Sequence, residues 1–89
     1  MAVYVDPIRE HPPVHGQTLW CHMIADTEEE LHAMAERIGM RRTWYQGDHY
    51  DLRPETRALA LAEGAIEMSM REMARRVCAE RKKRRRSET

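Results

Sequence analysis

The chain has 89 residues, a formal charge of zero from 15 basic and 15 acidic residues, and only two cysteines. This length supports one domain with a thin margin of stability, because such a domain buries only about 60% of its unfolded surface. Two distant cysteines argue against a disulfide scaffold, and no apolar run approaches the ~20 residues of a membrane span, so we expect a cytoplasmic protein without membrane association.

The first part of the chain predicts two strands and a helix. Residues 2–5, AVYV, and residues 19–25, LWCHMIA, are apolar runs typical of strands that are buried on both faces. Residues 7–18 lie between them, contain three prolines and one glycine, and are typical of a loop. Thr27 and Glu30 form a capping-box pattern, which predicts that the first helix begins there.

The second part of the chain predicts two further strands and two helices. Residues 43–46, TWYQ, and residues 65–68, AIEM, have the composition of short strands. A proline suits the first turn of a second helix, which we expect over residues 54–63. Ser69 begins a second capping box and therefore a third helix.

The order of these elements predicts an α/β fold in a single domain. Strands that alternate with helices favour a small, mostly parallel sheet of three to four strands, packed with about three helices. The first two strands have no helix between them, so they either pair antiparallel or cross over, and the sequence leaves both open. A small core often gains stability from a partner subunit, which makes a homodimer one expected assembly.

The charge is distributed unevenly along the chain. Residues 1–70 contain 6 arginines and 12 acidic residues, whereas residues 71–89 contain 9 basic and 3 acidic residues. The apolar stripe of the third helix ends at Cys78. We therefore predict an α/β domain over residues 1–78 and a basic, mobile C-terminal tail over residues 79–89.

The tail contains six consecutive basic residues that can bind the phosphates of a nucleic acid by releasing counterions. These residues are Arg81, Lys82, Lys83, Arg84, Arg85 and Arg86. Equally, the run is explained by a solubilising terminus that complements the C-terminal end of a helix dipole.

Three aspartates fall near the predicted carboxyl ends of strands, where open α/β sheets bind ligands. They are Asp6, Asp26, and either Asp48 or Asp51. Gathered at one edge, their carboxylates can hold a divalent cation such as Mg²⁺ or Mn²⁺, which activates water for phosphodiester cleavage. The alternative is that aspartate is a common turn former and helix cap.

The stretch GDHYDLRP, residues 47–54, contains the least ordinary short motif. In an extended segment His49 and Asp51 point the same way, about 7 Å apart at Cα, and can converge on one ion or substrate oxygen. His49 can then act as a base or a metal ligand, while Tyr50 points away and packs. Arg53 and Arg57 lie near this stretch and can either bind a phosphate group or pair with Asp51 and Glu55. The alternative is a connector in which Asp51 only orients the next helix.

The other histidines have more ordinary explanations. His22 lies between apolar neighbours and is expected to be a hydrogen-bonded core residue, and His32 is expected on a solvated, salt-bridging helix face. His11 and His15 have a spacing that zinc sites use, but the usual companion C-x-x-C is missing, which disfavours zinc.

Several segments match in order a known family. YVD, WCHMIAD, EELHAMAERIG, WYQGDHYDLRPETRALALAEGA and MSMREMARR together resemble the small bacterial and phage proteins catalogued as domain of unknown function 4031, over roughly residues 3–76. The resemblance implies no established activity, and it suggests a cytoplasmic protein that acts in an infected or lysogenic cell. The family-like positions are Asp6, Trp20, His22, Asp26, His32, Gln46, His49, Tyr50, Asp51 and Arg57. The basic run lies outside the resemblance.

These observations leave three functional hypotheses. The first is a nucleic-acid-associated binding protein that uses the tail. The second is a metal-dependent hydrolase of phosphodiesters or nucleotides, with His49, Asp51 and Arg57 as catalytic residues and Asp6, Asp26 and Asp51 as metal ligands. The third is a phage accessory protein that binds a host protein and does no chemistry.

Overall fold

A computed structural model describes residues 2–88 of the chain, and the side chains of residues 86–88 lie outside that description. Five strands and three helices are present in this range. They are β1 (Val3–Val5), β2 (Arg9–Val14), β3 (Gln17–Ala25), α1 (Glu28–Arg37), β4 (Tyr50–Leu52), α2 (Pro54–Ala62), β5 (Ile66–Glu67) and α3 (Met70–Glu88), with a short 3-10 turn at Arg42–Trp44. The predicted α/β class is confirmed.

The sheet has five strands and is mostly antiparallel, so the predicted mostly parallel sheet of three to four strands is wrong. The strand order is β2-β3-β1-β5, and β4 also pairs with β3. β3 pairs antiparallel with β1, β2 and β4, and the parallel pairing that remains joins β1 to β5. The physical reason is the connections, because a parallel pair needs a long crossover and the chain reaches β3 from β1 without a helix.

The proline-rich segment predicted as a loop contains the strand β2. A tight turn at His15 and Gly16, whose φ angles are 50° and 76°, joins β2 to β3 as a hairpin. Pro12 and Pro13 have no backbone N–H, so they fit a strand at the edge of the sheet, and the β2–β3 register is irregular around them.

The third strand lies later in the chain than predicted. Residues 43–46 overlap the 3-10 turn, whereas β4 lies inside GDHYDLRP. Tyr50 and Leu52 are 1% and 0% exposed, and Asp51 between them is half-buried. The eight-residue stretch is therefore part of the sheet and not only a connector.

The core lies between the sheet and the helices, and two predicted helix caps are confirmed. The hydroxyl oxygens of Thr27 and Ser69 accept backbone hydrogen bonds three residues on, at 3.2 and 3.1 Å. On α1, His32 pairs with Glu28 as predicted, but its ring also lies 2.8 Å from the hydroxyl of Tyr50 and its side chain is only 11% exposed. His32 thus links α1 to β4.

Helix α3 is continuous from Met70 to Glu88 and includes the segment predicted as a tail. Met73 is 2% exposed and anchors its first turns in the core. The predicted boundary after residue 78 and the mobility of the tail stay predictions. None of the helices within residues 2–88 has the length and apolar character to cross a membrane.

Because β4 carries part of the core, Leu52→Ala should destabilise the protein by about 2–5 kcal/mol. Leu59→Ala is a matched control, since Leu59 is 53% exposed and its truncation should change the free energy of unfolding by less than about 0.5 kcal/mol. Urea denaturation of both variants measures the difference. Equal losses would contradict the placement of β4 in the core.

Candidate metal centre

The pairing of β3 with β4 sets two polar side chains next to each other. His22 lies directly opposite Asp51 in the antiparallel register, and directly opposite residues share one face of a sheet. The flanking pairs, Cys21 with Leu52 and Met23 with Tyr50, lie on the opposite, buried face. The sheet thus separates a polar face that carries His22 and Asp51 from the core.

His49 joins this face because it lies two residues before Asp51. Its Nε2 atom is 3.3 Å from Oδ1 of Asp51, and its ring meets that of His22 edge to face, with centroids 5.1 Å apart. One ligand atom from each of His22, His49 and Asp51 lies within 4.8 Å of the others, a spacing at which the three can hold a metal ion. The predicted convergence of His49 and Asp51 is therefore observed.

A buried carboxylate orients the ring of His22. Asp6 is 2% exposed, and its side chain accepts a 2.6 Å hydrogen bond from the backbone N–H of His22 and lies 2.9 Å from its Nδ1 atom. Arg57 contacts the backbone of Asp6. Its Nε donates to the backbone carbonyl of Asp6 at 2.8 Å, and its Nη2 donates to the carboxylate of Glu67. Asp6 thus engages the Nδ1 atom of His22, and the other ring nitrogen, Nε2, has no contact with Asp6.

A second carboxylate does the same for His49. Asp48, with a side chain 2% exposed, accepts a hydrogen bond from the Nδ1 atom of His49. Its other oxygen accepts from Arg81 Nε at 2.8 Å and from Arg84 Nη2 at 2.9 Å. Burial opposes the charged carboxylate, but the hydrogen bonds from Arg81 and His49 outweigh it and lower the pKa of Asp48. Asp48 is thus held as an anion.

His49 and Asp51 also shift each other's pKa through the hydrogen bond between them. Burial opposes the charged form of His49, but hydrogen bonds to Asp51 and Asp48 outweigh it and raise the pKa of the imidazole. The hydrogen bond with His49 lowers the pKa of Asp51 despite partial burial. These hydrogen bonds therefore favour the charged forms of both His49 and Asp51.

The three aspartates predicted as metal ligands do not meet. Asp51 belongs to the cluster and Asp6 binds His22 from behind. Asp26 lies at the other end of β1, where it accepts from the backbone N–H of Ala2 at 2.8 Å and contacts Arg76 at 3.4 Å. The antiparallel pairing of β1 with β3 is the reason, since it puts the ends of the two strands on opposite sides.

Sequence reasoning missed two members of the site. His22 is not a core residue, since its side chain is 37% exposed and its neighbours take the buried positions. Asp48 was considered only as the alternative to Asp51 after the third predicted strand, and its contact with the ring of His49 was not predicted. Only the β3–β4 register brings His22 to Asp51, and no local pattern in the sequence specifies that register.

The cluster opens into a groove of about 1020 Å³. Its lining includes His22, His49 and Asp51, to which β2 adds His11 and the turn after β2 adds His15. Among the described residues that line the groove, Asp51 is the only carboxylate. Among the same residues, the other charged or imidazole side chains are Arg53 and four histidines, so one carboxylate faces one arginine and a group of imidazoles.

Aromatic side chains and an arginine line the rest of the groove. Trp20 and Trp44 are both in the lining, and Trp44 is 50% exposed. Arg53, also in the lining, lies over the ring of Trp20 at 5.8 Å from its centroid. The groove thus offers flat apolar surfaces beside a cationic group.

The six predicted nucleic-acid-binding residues have different surroundings. Arg81 and Arg84 pair with Asp48, and Lys83 contacts Glu80 at 3.6 Å. The remaining described members of the run, Lys82 and Arg85, are exposed, and the side chain of Arg86 lies outside the described residues.

Cys21 borders the groove, but its thiol lies on the buried face of the sheet, and its reactivity can be measured. Burial and the nearby Asp6 raise the pKa of Cys21 to about 12, and the residue is 2% exposed, whereas Cys78 is exposed. At pH 8 the folded protein should take up one iodoacetamide, at Cys78, because only the thiolate reacts. Peptide mass spectrometry checks this. In the Cys78→Ser variant no adduct should form until denaturant is added. Rapid labelling of Cys21 in the folded protein would contradict the burial of its thiol.

The comparisons with known proteins place the chain in a family. The sequence model of a family described as "Protein of unknown function (DUF4031)" matches residues 3–80, which confirms the predicted resemblance. No curated protein and no solved structure matches the chain. The matched segment contains His22, His49 and Asp51 together with both carboxylates behind the histidines. Because the match covers most of the sequence, the chain belongs to the DUF4031 family.

Proposed function

We propose that this protein binds a divalent transition-metal ion at His22, His49 and Asp51 and uses it to hydrolyse phosphate esters of nucleotide size. The observation that supports this proposal is the convergence of two carboxylate-oriented histidines and one carboxylate in the lining of a groove. Catalytic zinc sites use three protein ligands of these types and leave a further position for water.

The donor set favours zinc over the Mg²⁺ or Mn²⁺ expected from the sequence. That expectation depended on three carboxylate ligands, whereas the cluster has two imidazoles and one carboxylate. Imidazole suits zinc, iron, nickel and copper, while Mg²⁺ prefers oxygen ligands. Zinc is the member of the first group that acts in hydrolysis without redox chemistry.

The distances fit such an ion with small side-chain movements. Tetrahedral zinc with bonds of about 2.1 Å has ligand atoms about 3.4 Å apart. The separation of His49 Nε2 from Asp51 Oδ1, 3.3 Å, already has this value. The widest spacing in the cluster is within 4.8 Å, so movements on the order of 1 Å bring His22 into range.

The carboxylates behind the rings support the same conclusion. Metal-binding histidines almost always donate their other ring N–H to a carboxylate, carbonyl or water, which fixes the ring and raises its basicity. Asp6 and Asp48 hold Nδ1 of His22 and His49 in this way. A pair of solvated surface histidines has no need of two buried aspartates.

The proposed substrate follows from the lining of the groove. Arg53, His11 of β2 and His15 of the following turn favour an anionic group, and a phosphate ester carries one. Trp20 and Trp44 offer faces on which a planar ring can stack. The volume, about 1020 Å³, is at the upper end of the usual size of a small-molecule site.

The residues around the ion have distinct proposed roles. A bound zinc ion supplies a water molecule with a pKa near 7, which is the nucleophile for hydrolysis. Arg53 orients the phosphate in the groove. Arg57, predicted to steady a phosphate, is bonded to the carbonyl of Asp6 and to Glu67, so its proposed role is to support Asp6.

Metal binding is testable by stability. Zinc at about 100 times its Kd should raise the free energy of unfolding by about 2.7 kcal/mol, because it binds only the folded state. Asp51→Asn should lose this stabilisation, and Asp26→Asn is the matched control that should keep it. Thermal denaturation with and without ZnCl₂ measures both. An unchanged midpoint for the wild-type protein with zinc, manganese, nickel or iron(II) would overturn the proposal.

Hydrolysis has its own test. The zinc-loaded protein should cleave bis(p-nitrophenyl) phosphate, with the release of p-nitrophenolate followed by absorbance. His49→Ala should lose at least about 100-fold in rate, because it removes a ligand of the ion and so the activated water. Zinc binding with no turnover of this ester or of a nucleotide would reduce the proposal to a metal-binding protein.

The other two hypotheses have less support. In the basic run Arg81 and Arg84 are already paired with Asp48, which leaves fewer cations for a nucleic acid. A nucleic-acid role of the run, a host-protein partner and a phage origin stay predictions.

A further inference from the structure

We propose that Arg81 and Arg84 are positioning residues of the metal centre, and that the basic end of α3 sets its metal affinity through Asp48. This inference rests on the proposed function, because it assumes that His49 is a metal ligand. It gives the basic run a role inside the molecule, in place of the binding of an external polyanion.

The contacts divide the Asp48 carboxylate between two tasks. One oxygen bonds to the ring of His49, and both arginines bond to the other, at 2.8 and 2.9 Å. Each arginine side chain is about half exposed, whereas the Asp48 side chain is 2% exposed. A carboxylate so deeply buried has little water to replace lost partners, so the arginines fix where it lies.

The side chain of Arg84 lies close to the backbone at Gly47. A Cβ atom at this position would lie 2.8 Å from Nη1 of Arg84, closer than side chains approach. Gly47 also has a φ of +92°, a conformation that favours glycine. The guanidinium of Arg84 therefore lies against the backbone of the loop that holds Asp48, in addition to its hydrogen bond with the carboxylate.

These contacts form a chain from the helix to the ion. Arg81 and Arg84 hold Asp48, Asp48 holds the Nδ1 side of His49, and Nε2 of His49 faces Asp51. Loss of a partner directly behind a ligand usually weakens metal binding 10–100-fold, as an order of magnitude. The arginines act one contact further out, so we expect the lower end of that range.

The test is zinc affinity, measured by competition with a chromophoric chelator. Arg81→Ala/Arg84→Ala in the full chain should bind zinc about tenfold more weakly than the wild-type protein. The matched control is Arg75→Ala/Arg85→Ala, which removes the same charge from the same helix and should stay within about twofold. Arg75 pairs with Glu72 on α3 and not with Asp48.

Two further variants separate positioning from a general loss of structure. Arg84→Ala alone keeps Arg81 as a partner of Asp48 and should weaken zinc binding about threefold while the protein stays folded. Arg81→Lys/Arg84→Lys keeps the charge but loses the planar fork, so its affinity should lie between those of the wild-type protein and the double alanine variant.

The outcomes distinguish the two proposals. If the wild-type protein binds no transition metal, the proposed function fails and this inference fails with it. If the wild-type protein binds zinc and the double alanine variant binds it equally well, only the role of α3 is overturned. Equal weakening by the control pair would show a general charge effect and would also overturn it.

Discussion

The antiparallel register of β3 with β4 is the constraint on which the rest of the structure depends. It places His22 opposite Asp51 and, on the reverse face, Met23 opposite Tyr50. A shift of one residue would exchange the two faces, so it would bury the polar pair and expose the aromatic ring. The same hydrogen bonds therefore keep the core apolar and keep the polar cluster together.

Hydrogen bonds to two buried carboxylates explain how the cluster is stable in so small a domain. Asp6 and Asp48 are nearly inaccessible to water, and each is surrounded by donors. For Asp6 these are the backbone and ring of His22, and for Asp48 they are His49 and two arginines of α3. Residues 1–70 carry an excess of acidic residues and the last helix an excess of basic ones. The two segments thus contact each other at the carboxylate of Asp48.

Local patterns predicted the local features well. The caps at Thr27 and Ser69 and the shared direction of His49 and Asp51 follow from spacings of two or three residues. Features that depend on distant parts of the chain were not predictable. Nothing near His22 indicates that its partner lies about thirty positions later, and nothing near Asp48 indicates arginines of the last helix.

The prolines of β2 have a consequence for what can reach the groove. β2 forms one margin of it, through His11 and Pro12, and is an outermost strand of the sheet. Pro12 and Pro13 have no amide hydrogens, so an extended polypeptide that paired with β2 would form fewer backbone hydrogen bonds there. Strand addition by another polypeptide along this side of the groove is therefore disfavoured.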